Sequence, residues 1–90
     1  MNQSNLQVMI NRYDSDCDQI ELRIEALERE LSQTRNEERK SDIASVISDL
    51  ESLKNLLERL IGYLEDSKIQ IKEYEESLKV TNEYMSSMRL

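Results

Sequence analysis

Proline is absent from the 90-residue chain, and glycine occurs once, at Gly62. The two residues that most often interrupt a helix are therefore almost missing, while the helix-favouring residues Leu, Glu, Arg, Lys and Gln are common. Charged residues make up 34% of the chain. This composition predicts an all-α protein of one helical domain, residues 1–90, without strands.

Histidine is also absent, and Cys17 is the one cysteine. Without an imidazole, the chain lacks the usual proton shuttle, and Cys17 has no neighbouring base to activate it. A lone cysteine excludes an internal disulfide, and the chain has no glycine-rich loop for a phosphate group. We therefore expect no enzymatic activity, no cofactor, no catalytic residue and no small-molecule substrate.

Basic residues are outnumbered, because 12 lysines and arginines face 19 acidic residues and give a net charge of −7. Nucleic acids and anionic membranes both require a basic surface, so neither is an expected partner. No apolar run approaches the ~18 residues of a membrane span, and residues 1–10 lack the basic start and apolar core of a signal peptide. We expect a cytoplasmic protein whose partner is another protein.

An unbroken apolar seam runs through the first third of the chain. Its members follow one another at alternating steps of four and three residues: Leu6, Ile10, Tyr13, Cys17, Ile20, Ile24, Leu27 and Leu31. These are positions a and d of a heptad, and so narrow a seam suits one neighbouring helix. Ser4 and Gln7 match the capping-box pattern, which predicts a first helix over about residues 5–35.

A wider apolar face occupies residues 43–64. Positions a and d hold Ile43, Val46, Leu50, Leu53, Leu57, Leu60 and Leu64, while Ile47 and Ile61 lie at e and Leu56 and Tyr63 at g. A two-stranded seam normally keeps e and g polar, so this face requires more than one neighbouring helix. The pattern predicts a second helix, over about residues 42–88, in a bundle formed by self-association.

The two seams are separated by residues 32–42, which contain no apolar residue. Asn36 and Ser41 are suitable as a helix stop and the next N-cap, which predicts a turn over about residues 36–41 and an antiparallel helical hairpin. The alternative is one long helix with a register skip in a parallel coiled coil, because most residues of this segment favour helix.

Folding the chain at residues 38 and 39 places apolar residues opposite one another. The predicted layers are Leu31 with Val46, Leu27 with Leu50, Ile24 with Leu53, Ile20 with Leu57, Cys17 with Leu60, Tyr13 with Leu64 and Leu6 with Ile71. The same fold brings Glu21 near Lys54 and Arg23 near Asp49. Residues 72–90 extend beyond the first helix, with a weaker seam of Tyr74, Leu78, Thr81, Met85 and Met88.

The apolar flanks and the extending segment are the predicted interface of a homo-oligomer, with a dimer as the first expectation. Its residues are Ile47, Leu56, Ile61, Tyr63, Tyr74, Leu78, Tyr84, Met85 and Met88. Tyrosine and methionine are enriched at protein interfaces. A contact with a foreign protein remains as open as a contact with a second copy.

Acidic residues of the first helix support two further interpretations. Asp14, Asp16, Asp18 and Glu25 match four positions of a calcium-binding EF-hand loop, but Gln19 replaces the glycine of the turn and the heptad seam continues through the segment, so we expect no metal site. A second surface, which an inhibitor could present to a basic nucleic-acid-binding groove, consists of Asp14, Asp16, Asp18, Glu21, Glu25 and Glu28. The sequence thus predicts a coiled-coil scaffold, adaptor or chaperone-like clamp, with an acidic inhibitor as the alternative.

Overall fold

The computed structural model describes residues 3–88; residues 1, 2, 89 and 90, the ends of the predicted domain, lie outside this range. Helix α1 spans Gln3–Gln33 and helix α2 spans Glu37–Met88, and no strand occurs within residues 3–88. Residues 34–36 interrupt the helical backbone. The structure therefore has the predicted all-α fold, and the single continuous helix of the alternative does not form.

The two helices pack side by side in opposite directions. The Lys68 ammonium contacts the Gln7 amide oxygen near the start of α1, and Lys54 contacts Glu21 in its middle. The sequence separation between contacting residues falls toward the connection, which is the signature of a hairpin. The molecule is a thin rod with extents of 82 × 15 × 14 Å.

The connection is shorter and earlier than the predicted turn. Asn36 is the N-cap of α2, because its side-chain oxygen accepts a hydrogen bond from the Arg39 amide at 3.1 Å and its carbonyl accepts one from the Lys40 amide at 3.0 Å. Glu37 and Glu38 then occupy the first turn, where carboxylates interact favourably with the helix dipole. Ser41, the predicted N-cap, lies inside the helix.

Helix α1 buries the narrow seam that its heptads predict. Leu6, Ile10, Cys17, Ile24 and Leu27 are buried, and the remaining seam positions are half-buried. The helix begins at Gln3 rather than near residue 5. Gln7 does not act in a capping box, since its side-chain amide donates to Asn11 at 2.8 Å and its oxygen accepts from Lys68 at 2.5 Å.

Helix α2 faces α1 with positions a and e, and this corrects the predicted layers. Ile43 and Ile47 pack with Ile24 and Leu27 in one buried cluster. The predicted d-position layer members Val46, Leu53 and Leu60 are instead 45%, 44% and 37% exposed. Positions a and e of α2 therefore form the contact with α1, and the d positions lie toward solvent.

A second buried cluster lies near the start of α1, where Leu6 and Ile10 pack with Leu64, and Ile71 covers them from the far side. The predicted proximity of Leu6 and Ile71 is therefore confirmed. The ion pair between Glu21 and Lys54 is also confirmed, at 3.6 Å. Arg23 and Asp49, by contrast, form no ion pair in the described part of the chain.

Candidate interaction surfaces

A row of apolar side chains follows one side of α2 without cover from α1. Its members share heptad positions d and g and are all exposed: Val46, Leu53, Leu56, Leu60 and Tyr63. We call this row the hairpin stripe. Single exposed apolar residues are ordinary on a protein surface, whereas a contiguous row of large ones is a candidate interaction surface.

The hairpin stripe borders a groove between the two helices. Ile20, Leu50, Leu53 and Leu57 form its apolar floor and wall, and the polar residues Asp16, Gln19 and Arg23 of α1 form the opposite edge. The cavity measures about 440 Å³. An apolar floor with a charged edge is the arrangement in which another amphipathic helix is bound.

The C-terminal part of α2 extends past the start of α1 and has no helix beside it. Every residue from 72 to 88, here named the overhang, is exposed. Its seam of Tyr74, Leu78, Thr81, Met85 and Met88 continues the a and d positions of the hairpin segment. Tyr74 is 68% exposed and Met88 is 70% exposed. The overhang therefore lacks the side-by-side packing that stabilises most helices in proteins.

The residues predicted as an interface divide into two groups. Ile47 is buried and Ile61 is half-buried within the hairpin itself. The other seven lie on exposed parts of α2: Leu56, Tyr63, Tyr74, Leu78, Tyr84, Met85 and Met88. Val46, Leu53 and Leu60, which the sequence assigned to the hairpin core, join this exposed group. The heptad pattern contains no signal that separates them from the core positions, because α2 has apolar residues at a, d, e and g.

An acidic face lies on the opposite side of the hairpin. Asp14, Asp18, Glu21, Glu25 and Glu28 are all exposed, and their steps of four and three residues align them along one side of α1. Glu51 of α2 borders the same shallow groove. Asp16 is separate from this row: it is half-buried at the edge of the apolar groove.

Lys54 is the cation on this acidic side. Its ammonium lies 3.6 Å from a Glu21 carboxylate oxygen and 3.8 Å from one of Glu58. Cys17 is buried nearby, and burial raises the pKa of its thiol, with the Glu58 and Asp14 carboxylates adding to the shift. A thiol held in its protonated form is a poor nucleophile, so Cys17 contributes packing.

The aspartates considered for a calcium loop lie on uninterrupted helix. Alternate residues of a helix point to different sides, so these carboxylates diverge. Within residues 3–88, no three metal-binding side chains come close enough to hold an ion. Over the same range, neither helix is apolar for long enough to cross a membrane.

Comparison with known proteins adds no relative, because no protein-family profile, curated protein or solved structure matches this chain.

Proposed function

We propose that this protein is a non-catalytic interaction protein, a coiled-coil scaffold or adaptor that works as a homo-oligomer, with the dimer as its basic unit. One observation carries the proposal: a single helix exposes apolar residues in two segments, the hairpin stripe from Val46 to Tyr63 and the overhang seam from Tyr74 to Met88. Burying such a row is the dominant favourable term in helix association. The partner is a protein, because 19 acidic residues against 12 basic ones disfavour binding to nucleic acid or anionic lipid.

The charge distribution supports the same role. The acidic face on the opposite side of the hairpin keeps the assembled particle soluble and leaves the apolar row as the surface for association. A buried thiol without a disulfide partner suits a reducing compartment, and we place the protein in the cytoplasm.

The test is the mass in solution of the intact chain, measured by light scattering during size-exclusion chromatography. We expect a dimer for the wild type and a monomer for Leu56→Glu, which places a charge in the hairpin stripe. Leu22→Glu is the matched control, because Leu22 is an exposed leucine of α1 that lies outside the stripe. A wild-type chain of monomer mass at micromolar concentration would contradict the proposal.

A second candidate function is supported by the geometry of the acidic face. Five exposed carboxylates from Asp14 to Glu28 follow one another over about 21 Å of helix. A regular row of negative charges can take the place of phosphates in the basic groove of a nucleic-acid-binding protein. In this function the protein is a small acidic inhibitor.

The salt dependence of partner binding distinguishes the two proposed functions. A carboxylate mimic loses most of its affinity between about 50 and about 200 mM salt, whereas an apolar helix interface changes little. The test compares capture of partner proteins by the wild type and by the triple variant Glu21→Gln, Glu25→Gln, Glu28→Gln. Salt-resistant capture by both proteins would count against the inhibitor.

A further inference from the structure

We infer that the overhang of one chain fills the apolar groove of a second copy, with the two α2 helices antiparallel and crossing at Ser67. This inference rests on the proposed function, because it specifies how that self-association is built. Each end of the resulting dimer is a three-helix bundle made of one hairpin and the overhang of the other chain.

The lengths of the two uncovered segments support this arrangement. The hairpin stripe runs from Val46 to Tyr63, and the overhang runs from residue 72 to residue 88. The two segments cover seventeen and sixteen steps of the chain, which is about 25 Å of helix each. Ser67 lies close to the midpoint between them. An antiparallel pair centred there therefore covers each stripe with the overhang of the other copy and leaves neither segment unmatched.

The heptad positions agree with the same register. In an antiparallel pair that crosses at Ser67, residues whose numbers sum to 134 lie at the same height. Three exposed or seam positions of the stripe then lie opposite the overhang: Val46 opposite Met88, Leu53 opposite Thr81, and Leu60 opposite Tyr74. Leu50 and Leu57 are only half-buried within the hairpin, so each has surface left for the second copy. Small Ser67 meets its own symmetry mate at the crossing point.

Charge favours the antiparallel orientation over the parallel one. Residues 3–71 contain 15 acidic and 9 basic residues, a net charge of −6, whereas the overhang contains 4 acidic and 2 basic residues, a net charge of −2. A parallel pair sets the two strongly acidic hairpins side by side. The antiparallel pair sets each hairpin beside an overhang and moves the two α1 helices to opposite ends, which weakens the repulsion.

On the g flank of the antiparallel seam, no two like charges lie beside each other. Position g of one copy lies beside position g of the other. The resulting neighbours are Asp49 with Tyr84, Leu56 with Ser77, and Tyr63 with Gln70. The Tyr84 hydroxyl can donate a hydrogen bond to the Asp49 carboxylate, which accounts for an exposed aromatic residue near the end of the overhang.

The available area is sufficient for a stable dimer. Tyr63, Tyr74 and Tyr84 are each about two-thirds exposed, which leaves roughly 100–150 Å² of each side chain in water. Together with the exposed leucines and methionines of two copies, the seam exceeds the roughly 1,000 Å² of a specific interface. A second copy therefore accounts for the whole uncovered row.

Cysteine crosslinking of the full chain tests the orientation. In a Cys17→Ala background, Leu60→Cys and Tyr74→Cys are prepared as separate chains of different mass, mixed, and oxidised. The antiparallel pair brings the two thiols within the ~7 Å between alpha carbons that a disulfide allows. In the same antiparallel pair, residue 60 of one copy and residue 60 of the other lie about 21 Å apart along the helix axis, too far for a disulfide. The side chains of Leu60 and Tyr74 are both exposed in the single chain, so neither substitution removes a core contact. Circular dichroism verifies that each variant keeps its helix content.

We expect the mixed disulfide between Leu60→Cys and Tyr74→Cys to exceed either homodimeric product at least tenfold. Homodimeric products alone would overturn the antiparallel arrangement and leave the proposed self-association standing. Ser67→Cys is the positive control, because residue 67 meets its symmetry mate in either orientation. A crosslink-free result for all three variants, with a wild type of monomer mass, would refute both the inference and the proposed function. The same result with a dimeric wild type would refute the register alone.

Discussion

At the scale of single residues, burial separates side chains that look alike in sequence. Ile43 is 3% exposed and packs in the cluster near the turn, whereas Leu22 is 64% exposed on the outer side of α1. Both are large aliphatic residues in helices of high helix propensity. Only the first loses contacts when its side chain is shortened, because the second already lies in water.

We predict that Ile43→Ala lowers the free energy of unfolding by about 2–4 kcal/mol, since the truncation leaves a cavity between the helices. Leu22→Ala, the control, should change it by less than about 0.5 kcal/mol. Urea unfolding followed by circular dichroism gives both values. Equal losses in the two variants would contradict the assignment of the core.

Cys17 provides a second prediction at this scale. Burial is the main cause that raises the pKa of its thiol above the ordinary value of 9.0. The fold therefore favours the protonated thiol, and this contribution to stability is present below about pH 9 and is lost as the pH rises through the folded-state pKa.

We expect the wild type to lose more stability than Cys17→Ala when the pH is raised from about 8 to about 10.5, because the alanine variant has no thiol to ionise. At pH 8 the native thiol should also react with a disulfide reagent far more slowly than the urea-unfolded thiol. Identical alkaline profiles for the two proteins, or equal labelling rates, would contradict the buried position of Cys17.

At the scale of elements, the turn between the helices is defined by an N-cap and an ion pair. The Asn36 side chain caps α2, and Arg39 contacts Glu30 across the connection through an exposed ion pair. An exposed ion pair of this kind contributes little to stability, whereas an N-cap contributes about 1 kcal/mol. The cap therefore contributes more than the ion pair to the stability of the connection.

We predict that Asn36→Ala lowers the free energy of unfolding by about 1 kcal/mol, and that Asn36→Asp restores most of the loss because aspartate is also a good N-cap. Ser41→Ala, at the N-cap position that the sequence suggested, should have almost no effect. Thermal unfolding at constant protein concentration measures all three. A larger loss from Ser41→Ala would indicate that α2 begins where the sequence placed it.

The comparison of sequence and structure is most informative at this scale. The seam of α1 could be predicted residue by residue. Its large apolar residues follow one heptad series with mostly acidic flanks, so only one face of the helix is suited to burial. Helix α2 has apolar residues at a, d, e and g, so two overlapping seams are available. Heptads alone do not decide which of them faces α1. In the structure, the seam of positions a and e is the one that packs on α1.

At the scale of the whole molecule, α2 is far longer than its partner, with 52 residues against 31. One hairpin therefore cannot cover its own apolar surface. The hairpin segment leaves the stripe exposed, and the overhang has no neighbouring helix within the chain. Both deficits are removed together if a second copy binds, which links the shape of the rod to its proposed role in association.

Hydrogen–deuterium exchange of the overhang, followed by mass spectrometry across a series of protein concentrations, tests this account most directly. Amide protons of an uncovered helical end exchange rapidly, whereas those of a helix packed in a bundle are protected. We predict that peptides from residues 72–88 become protected as the concentration rises, to a level close to that of residues 43–64. Rapid exchange of residues 72–88 at every concentration, beside a protected hairpin, would contradict it.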